Sequence, residues 1–349
     1  MRSRFLATCL IAILVFFGCT KSSKSLTSTA IIENIEYSIT ATQTLSVMPN
    51  QQSTQAKLIS ITVTDNETQT AENRQFVVHY QQINDSVEFN TIVFDIHGSG
   101  PTSNSKVYTS LINQYSDKAS NSSIIFVYPL GMFVEQSNGT STLAWNLGAG
   151  SDSQKESQAN DLLFIQAIYQ YLQNEFEHSD RLALTKVIGI GSSQGSAFLL
   201  NRLATQLDIF TGVCGKVSQL FEANDAGYID LNTVSNRYKV LYFYGYNDPI
   251  IPYEGGDSEV GHSFLSVADS LVKWATRNQI NNNLTTQYYS SDESQSGAFT
   301  VNSDPTDIFY AYNDANYPVH AYQHNVKHKT PQTINGKPVT EIIWDFFEI

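Results

Sequence analysis

Four short stretches of this chain carry side chains that could do chemistry together, and they occur in an informative order. Gly191-Ser192-Ser193-Gln194-Gly195 fits the pattern G-x-S-x-G. It follows a compact apolar run over residues 184–190 and precedes a segment with helical apolar spacing over 195–207. That setting predicts a tight strand-to-helix turn with the Ser193 hydroxyl held above a sheet as a nucleophile. Glycines two positions to either side leave room for strand and helix to approach each other. The backbone N–H of Gln194 then points to the place where an attacked carbonyl oxygen would become negative. Without the flanking strand and helix, the same five residues would be an unremarkable Ser/Gly loop.

Asp95-Ile96-His97-Gly98-Ser99-Gly100 follows another apolar run, residues 91–96. A turn there offers a backbone N–H beside the nucleophile, so Ser99 and Gln194 are the expected oxyanion-hole donors. His97 precedes the serine, whereas the order for a site of this kind is Ser, acid, His, and His97 is read as structural. The third stretch, residues 244–253, follows an apolar run over 240–244 and contains Asp248 between Asn247 and Pro249. A carboxylate in that loop, stiffened by Pro249 and Pro252, can orient an imidazole and stabilise its charged form. Glu254 and Asp257 are weaker rivals. For the base, His320, His324 and His328 all lie between the strand-like run 308–312 and an apolar helix over 339–347. His320 comes first and is the expected base, His324 the next candidate. The H-x3-H-x3-H spacing would also put three imidazoles on one helix face as a metal site. Flanking prolines and the lack of a nearby carboxylate argue against it, so neither metal nor organic cofactor is expected. Trp145 is a candidate for lining the substrate pocket, with a core position as the alternative. His262, in a polar insertion over 254–262, reads as a surface residue.

The elements needed to position these residues can be traced along the chain. Residues 35–80 read as short alternating strands. Beyond them, apolar runs at 91–96, 124–128, 184–190, 240–244 and 308–312 are separated by helical patterns at 160–176, 195–207 and 266–276. Buried strands alternating with helices imply an α/β class: a mostly parallel central sheet, helices on both faces and an antiparallel N-terminal edge. One domain spanning 34–349 is expected. Hydrophobic residues make up 41% of the chain, enough for a sizeable core, and charged residues only 15%. The formal net charge of −13 and the absence of a basic stripe exclude a nucleic-acid partner as the expectation.

Residues 1–18 have the layout of an export signal: Arg2 and Arg4, then an apolar run from 5 to 17, then Gly18. Phe16-Phe17-Gly18-Cys19 resembles a bacterial lipobox, which would make Cys19 a lipid attachment point and 19–33 a polar tether at a membrane. Otherwise the protein is simply secreted. Cys214 remains as the lone cysteine of the folded part, in the apolar setting of a packing residue, so no disulfide framework is expected.

Taken in order, these stretches resemble the secreted polyhydroxybutyrate depolymerase and feruloyl esterase group of the α/β-hydrolases. The likeness runs from about Arg74 to the end. It is carried by Asp95–Gly100, by Tyr128-Pro129-Leu130-Gly131 followed by Trp145-Asn146, by Asn160–Ile165 and by Asp180-Arg181-Leu182 ahead of the Ser193 turn. Residues 244–253 and His320-Ala321-Tyr322 complete it. Ser99 stands where the family often has cysteine, and Val319 where it usually has glycine before its histidine. The resemblance implies an α/β-hydrolase fold and a serine esterase using Ser193, Asp248 and His320. It implies as substrate a small or polymeric carboxylic ester of feruloyl, acetyl or hydroxyalkanoate type. A serine exopeptidase on the same fold, or a non-catalytic surface lipoprotein, are the rival readings.

Overall fold

Residues 239–245 show on a small scale why a sheet forms. Val240, Tyr242 and Tyr244 enter one apolar layer while Leu241 and Phe243 enter another, and all five are buried. A strand's two-residue period places alternate side chains on opposite faces, so a continuous apolar run demands cover on both. The computed structural model describes residues 35–46, 54–81, 88–120, 122–136, 139–148, 156–177, 182–233, 236–281, 284–289 and 307–349. The leader (1–18), Cys19 and the tether (19–33) lie outside the described residues.

The strands are β1 (Ile35–Leu45), β2 (Thr54–Asp65), β3 (Thr70–Gln81), β4 (Phe89–Ile96), β5 (Ile124–Leu130), the hairpin β6 (Met132–Glu135) and β7 (Ser141–Ala144), and β8 (Leu182–Ser192). They continue with β9 (Gly212–Lys216), β10 (Lys239–Gly245), the short pair β11 (Gly256–Asp257) and β12 (Ser263–Phe264), β13 (Thr285–Tyr289), β14 (Asp307–Tyr312) and β15 (Val319–His324). Eleven of them form one sheet in the order β1-β2-β3-β5-β4-β8-β9-β10-β15-β14-β13. The stretch from β5 to β15 is parallel throughout. An antiparallel edge precedes it, and a second one, β14 and β13, follows it. The second edge exists because β14 returns directly into β15 through a turn in which Asp314 Oδ1 accepts the N–H groups of Asn316 and Tyr317.

Helices cover both faces. On one lie α2 (Asp161–Glu177), α3 (Gln194–Phe198) with its continuation through a π-turn to α4 (Ala204–Gln206), and α5 (Val267–Arg277). On the other lie α1 (Asn104–Ser120) and α6 (Val339–Phe347). Cys214 on β9 is buried, and burial pushes its thiol up to about 12. Helix α1 has a mean hydropathy too low to stand out in the sequence; it buries only Val107, Ile112, Tyr115, Ser116 and Ala119.

A buried ion pair ties β3 to the first turn of α2. The Arg74 guanidinium donates to Asp161 Oδ1, and both side chains are fully buried. Arg74 also lies 4.1 Å over the Phe164 ring, and Asp161 Oδ2 accepts the Asn146 N–H at 2.7 Å. This fastens the segment after β7, which reaches the site described next. Removing one partner strands a buried charge. Asp161→Ala should therefore cost about 3–5 kcal/mol of stability. Urea unfolding measures this directly, and a loss below about 1 kcal/mol would show the pair to be dispensable.

Candidate active site

Ser193 is the turn between β8 and α3, and its backbone sits at φ 51°, ψ −120°. A non-glycine residue with positive φ is strained, and strain of this kind persists only where its surroundings over-determine it. Here they do. Ser193 N–H donates to the Lys216 carbonyl at 2.8 Å, and the Ser193 carbonyl accepts from Ala197 N–H at 3.0 Å. A Cβ at Gly195 would come within 2.3 Å of the Ile96 and His97 carbonyls, and one at Gly191 within 2.6 Å of the Gly195 carbonyl. The two glycines let β8 and α3 meet so closely that the serine is pushed upward.

The imidazole that reaches the serine belongs to His328, not His320. Ser193 Oγ lies 2.7 Å from His328 Nε2, and His328 Nδ1 lies 2.7 Å from Asp248 Oδ2. A carboxylate only accepts, so Nδ1 carries the proton and Nε2 is left to accept from the serine hydroxyl. Asp248 is itself anchored: its other oxygen accepts the N–H groups of Ile250 and Ile251 at 2.9 and 3.1 Å. Asn247 Nδ2 donates to Asn325 Oδ1 at 2.6 Å, fastening the acid's loop to the histidine's loop.

Register explains the correction. Gly245 at the end of β10 pairs with His324 at the end of β15, while His320 pairs with Leu241. His320 thus lies four residues back from the edge where Ser193 opens, about 13 Å along the strand. It stands on the opposite layer against Phe309 and Phe346, with Nε2 3.2 Å from Asn313 Oδ1. Burial pushes His320, and likewise His324, down to about 4. Because residues 319–324 are extended, they place no row of histidines on a helix face. Among the described residues, no group of His, Cys, Asp and Glu is arranged to hold a metal.

Ser99 and Gln194 flank Ser193 in the lining of one small cavity. The loop bearing Ser99 is held by His97, whose Nδ1–H donates to the Gly98 carbonyl at 2.7 Å and whose Nε2 accepts Gly131 N–H at 3.0 Å. Burial pushes this imidazole down to about 4, so it stays neutral and keeps that donor–acceptor split. Trp145 does not line the cavity. It is fully buried, stacked on Phe198 at 5.2 Å, and its Nε1–H donates to the His97 carbonyl at 2.7 Å. Its backbone N–H donates to Gln194 Oε1 at 3.1 Å, so it braces both expected donor residues from behind.

No family model matches the chain, and no curated protein is similar enough to match. Among solved structures, a thermostable esterase aligns at 14% identity and a TM-score of 0.40, over 63% of this chain and 52% of that one. A cold-adapted esterase from an Arctic intertidal metagenomic library aligns at 11% identity and a TM-score of 0.40, over 68% of this chain and 82% of that one. A carboxylesterase of Bacillus cereus aligns at 12% identity and a TM-score of 0.40, over 79% and 92%. These are distant likenesses, and the chemistry of the site rests on its own geometry.

Glu156, which the sequence did not single out, lines the cavity together with His262, which was read as a surface residue; Asp225 stands behind them. His262 is 3% exposed. Its Nε2 bonds Glu156 Oε1, its Nδ1 lies 3.1 Å from Asp225 Oδ1, and its ring stacks on Phe221 at 4.5 Å. No spacing links residues 156, 225 and 262; only the folded chain joins them. Burial alone would depress the imidazole, but the Asp225 and Glu156 carboxylates outweigh it and raise the value to about 9. In the unfolded chain a histidine titrates near 6.5. The imidazolium's stabilising contribution is therefore complete below that value and is lost as pH climbs through about 9. The thermal midpoint should fall between pH 6 and pH 9.5 more steeply in the wild type than in His262→Gln, and equal slopes would refute the ion-paired assignment.

Proposed function

We propose that the chain is a carboxylic ester hydrolase of the α/β-hydrolase type, with Ser193 as nucleophile, His328 as base and Asp248 as the acid that orients it. The unbroken hydrogen-bond chain from Ser193 Oγ through His328 to Asp248, at 2.7 Å in each link, carries this reading. Nucleophile, base and orienting acid in this order form the constellation that activates a hydroxyl toward a carbonyl. Its presence weighs against a non-catalytic binding protein.

The reaction is a two-step acyl transfer. His328 Nε2 takes the Ser193 proton as Oγ bonds to the ester carbonyl carbon, and the carbonyl oxygen turns anionic beside the backbone N–H groups of Ser99 and Gln194. The C–O bond to the alcohol then breaks, and the imidazolium returns its proton to that oxygen. Water, deprotonated by the same imidazole, attacks the acyl-enzyme, and the serine leaves with the proton restored. Asp248 keeps Nδ1–H in place throughout and stabilises the imidazolium. The family resemblance directs the substrate range toward feruloyl, acetyl or hydroxyalkanoate-type esters. The export-type leader and Cys19 support an extracytoplasmic location, with lipid attachment at Cys19; no helix among the described residues is long and apolar enough to cross a membrane.

Hydrolysis of p-nitrophenyl butyrate, paired with labelling by a fluorophosphonate probe, tests the assignment. Ser193→Ala and His328→Ala should each lower kcat by about 10⁴-fold or more. His320→Gln should stay within about threefold of wild type, as expected for a residue outside the reacting groups. Turnover that survives Ser193→Ala, or a wild-type protein that neither turns over the ester nor takes the label, would refute the proposal.

A further inference from the structure

The histidine that reaches Ser193 stands at the apex of a three-residue turn. Lys329 N–H donates to the Lys327 carbonyl at 2.7 Å, closing the chain around His328. Each lysine Cα is then about 3.8 Å from that of His328. The turn is held in place from several directions. A Cβ at Gly245 would collide with the carbonyl oxygens of Val326 and Lys327, so the loop rests directly on the end of β10. Asn325 is tied to Asn247, and the imidazole to Asp248. Lys327 and Lys329 therefore sit on a fixed backbone. Both are exposed, and among the described residues neither is ion-paired.

Two unpaired cations beside the base stand out in a chain with 20 Lys and Arg against 33 Asp and Glu. The acyl-side wall has the opposite sign: the segment 254–262, whose Val260 and His262 line the cavity, exposes Glu254, Asp257 and Glu259. Asp248, the carboxylate at the imidazole itself, is buried, and its charge is balanced when His328 becomes the imidazolium. The reaction decides which part of an ester meets which wall. His328 Nε2 returns its proton to the departing alcohol oxygen, so that oxygen must come within hydrogen-bond reach of Nε2. The substituents of the alcohol thus leave on the side of the 327–329 turn. Ser99 and Gln194 line the cavity and His328 does not, which leaves the cavity to the acyl group.

Resting on the ester-hydrolase reading, we infer that Lys327 and Lys329 are specificity-determining residues that select an ester whose alcohol portion carries an anionic group, such as a carboxylate. The selection acts on the departing alcohol and is independent of which acyl group the cavity accepts. Lysine suits the task, because a point charge on a flexible stem attracts an anion without demanding one geometry. At an exposed rim this attraction raises encounter with the right partner and is weakened by salt.

The butyrate esters of 3-hydroxybenzoate and of the neutral 3-hydroxybenzamide test this on the wild-type protein. The Debye length shrinks from about 30 Å at 0.01 M salt to about 3 Å at 1 M. Between those conditions the carboxylate-to-amide ratio of kcat/KM should fall by about fivefold. Lys327→Gln/Lys329→Gln should bring the low-salt ratio down to the value that the wild type shows at high salt. This ratio, unlike total activity, is insensitive to partial unfolding. A fall of less than about twofold with salt overturns the inference and leaves the ester-hydrolase reading standing. A low-salt ratio as high in the double variant as in the wild type does the same. If neither ester is hydrolysed and Ser193 takes no fluorophosphonate label, the hydrolase reading itself falls and this inference with it.

Discussion

The backbone of one residue constrains everything else. Ser193 sits at positive φ because β8 must turn into α3 within a single residue, and the presentation of its hydroxyl, the proposed nucleophile, is a by-product of that turn. A conformation of this kind costs about 1–3 kcal/mol. It is held because the alternatives are blocked: relaxing the turn would pull α3 from the ends of β4 and β8, where Gly195 and Gly191 already sit against neighbouring backbone. The helix cannot shift without opening the core it shares with Leu199, Leu200 and Leu203. The strain is therefore sustained by burial elsewhere, in the layer that α2, α3 and α5 build on one face of the sheet.

The same logic extends outward through polar groups that have no contact with the reacting atoms. Arg74 and Asp161 fix Asn146; the neighbouring Trp145 fixes the His97 carbonyl and the Gln194 side chain; His97 fixes Gly98 and Gly131. Each link is buried or partly buried and hydrogen-bonded, which is the condition under which a polar network rigidifies a site. Loop residues expected to stabilise an oxyanion are thus set by a chain of contacts that begins at an ion pair between β3 and α2. A site whose donors must be in place before charge develops requires this stiffness.

How far the sequence could be read depended on the range of the interactions involved. Ser193 and Asp248 are encoded locally: a glycine-flanked turn after one buried strand, and a proline-stiffened acid after another. The helices over 161–177, 267–277 and 339–347 carry their own apolar periodicity, and so do the central strands. The histidine is different. Val319–His324 alternates buried and half-buried residues only over its first five positions and contains two histidines, so it reads as irregular chain. Once those residues pair with β10, His320 and His324 are committed to the sheet, and the first histidine beyond its edge is His328. Its identity depends on strand register, a property of two segments some eighty residues apart. His262 escaped for the same reason: the acids that hold it lie far away in the chain, and for Trp145 only the fold decides between the pocket and the core.

The protein holds two carboxylate-bound histidines close to one cavity, and the number of carboxylates separates their chemistry. His328 meets one, through Nδ1, so its Nε2 stays an acceptor turned toward a hydroxyl. His262 meets two, one at each nitrogen, and can satisfy both only as the imidazolium. It then has no lone pair with which to remove a proton, whatever its distance from a substrate. The proposed base and a fixed cation thus arise from the same kind of side chain, and the difference is made by a single additional acid, Glu156, contributed by the segment just ahead of α2. That acid silences His262 as a base while both residues line the cavity beside Ser193.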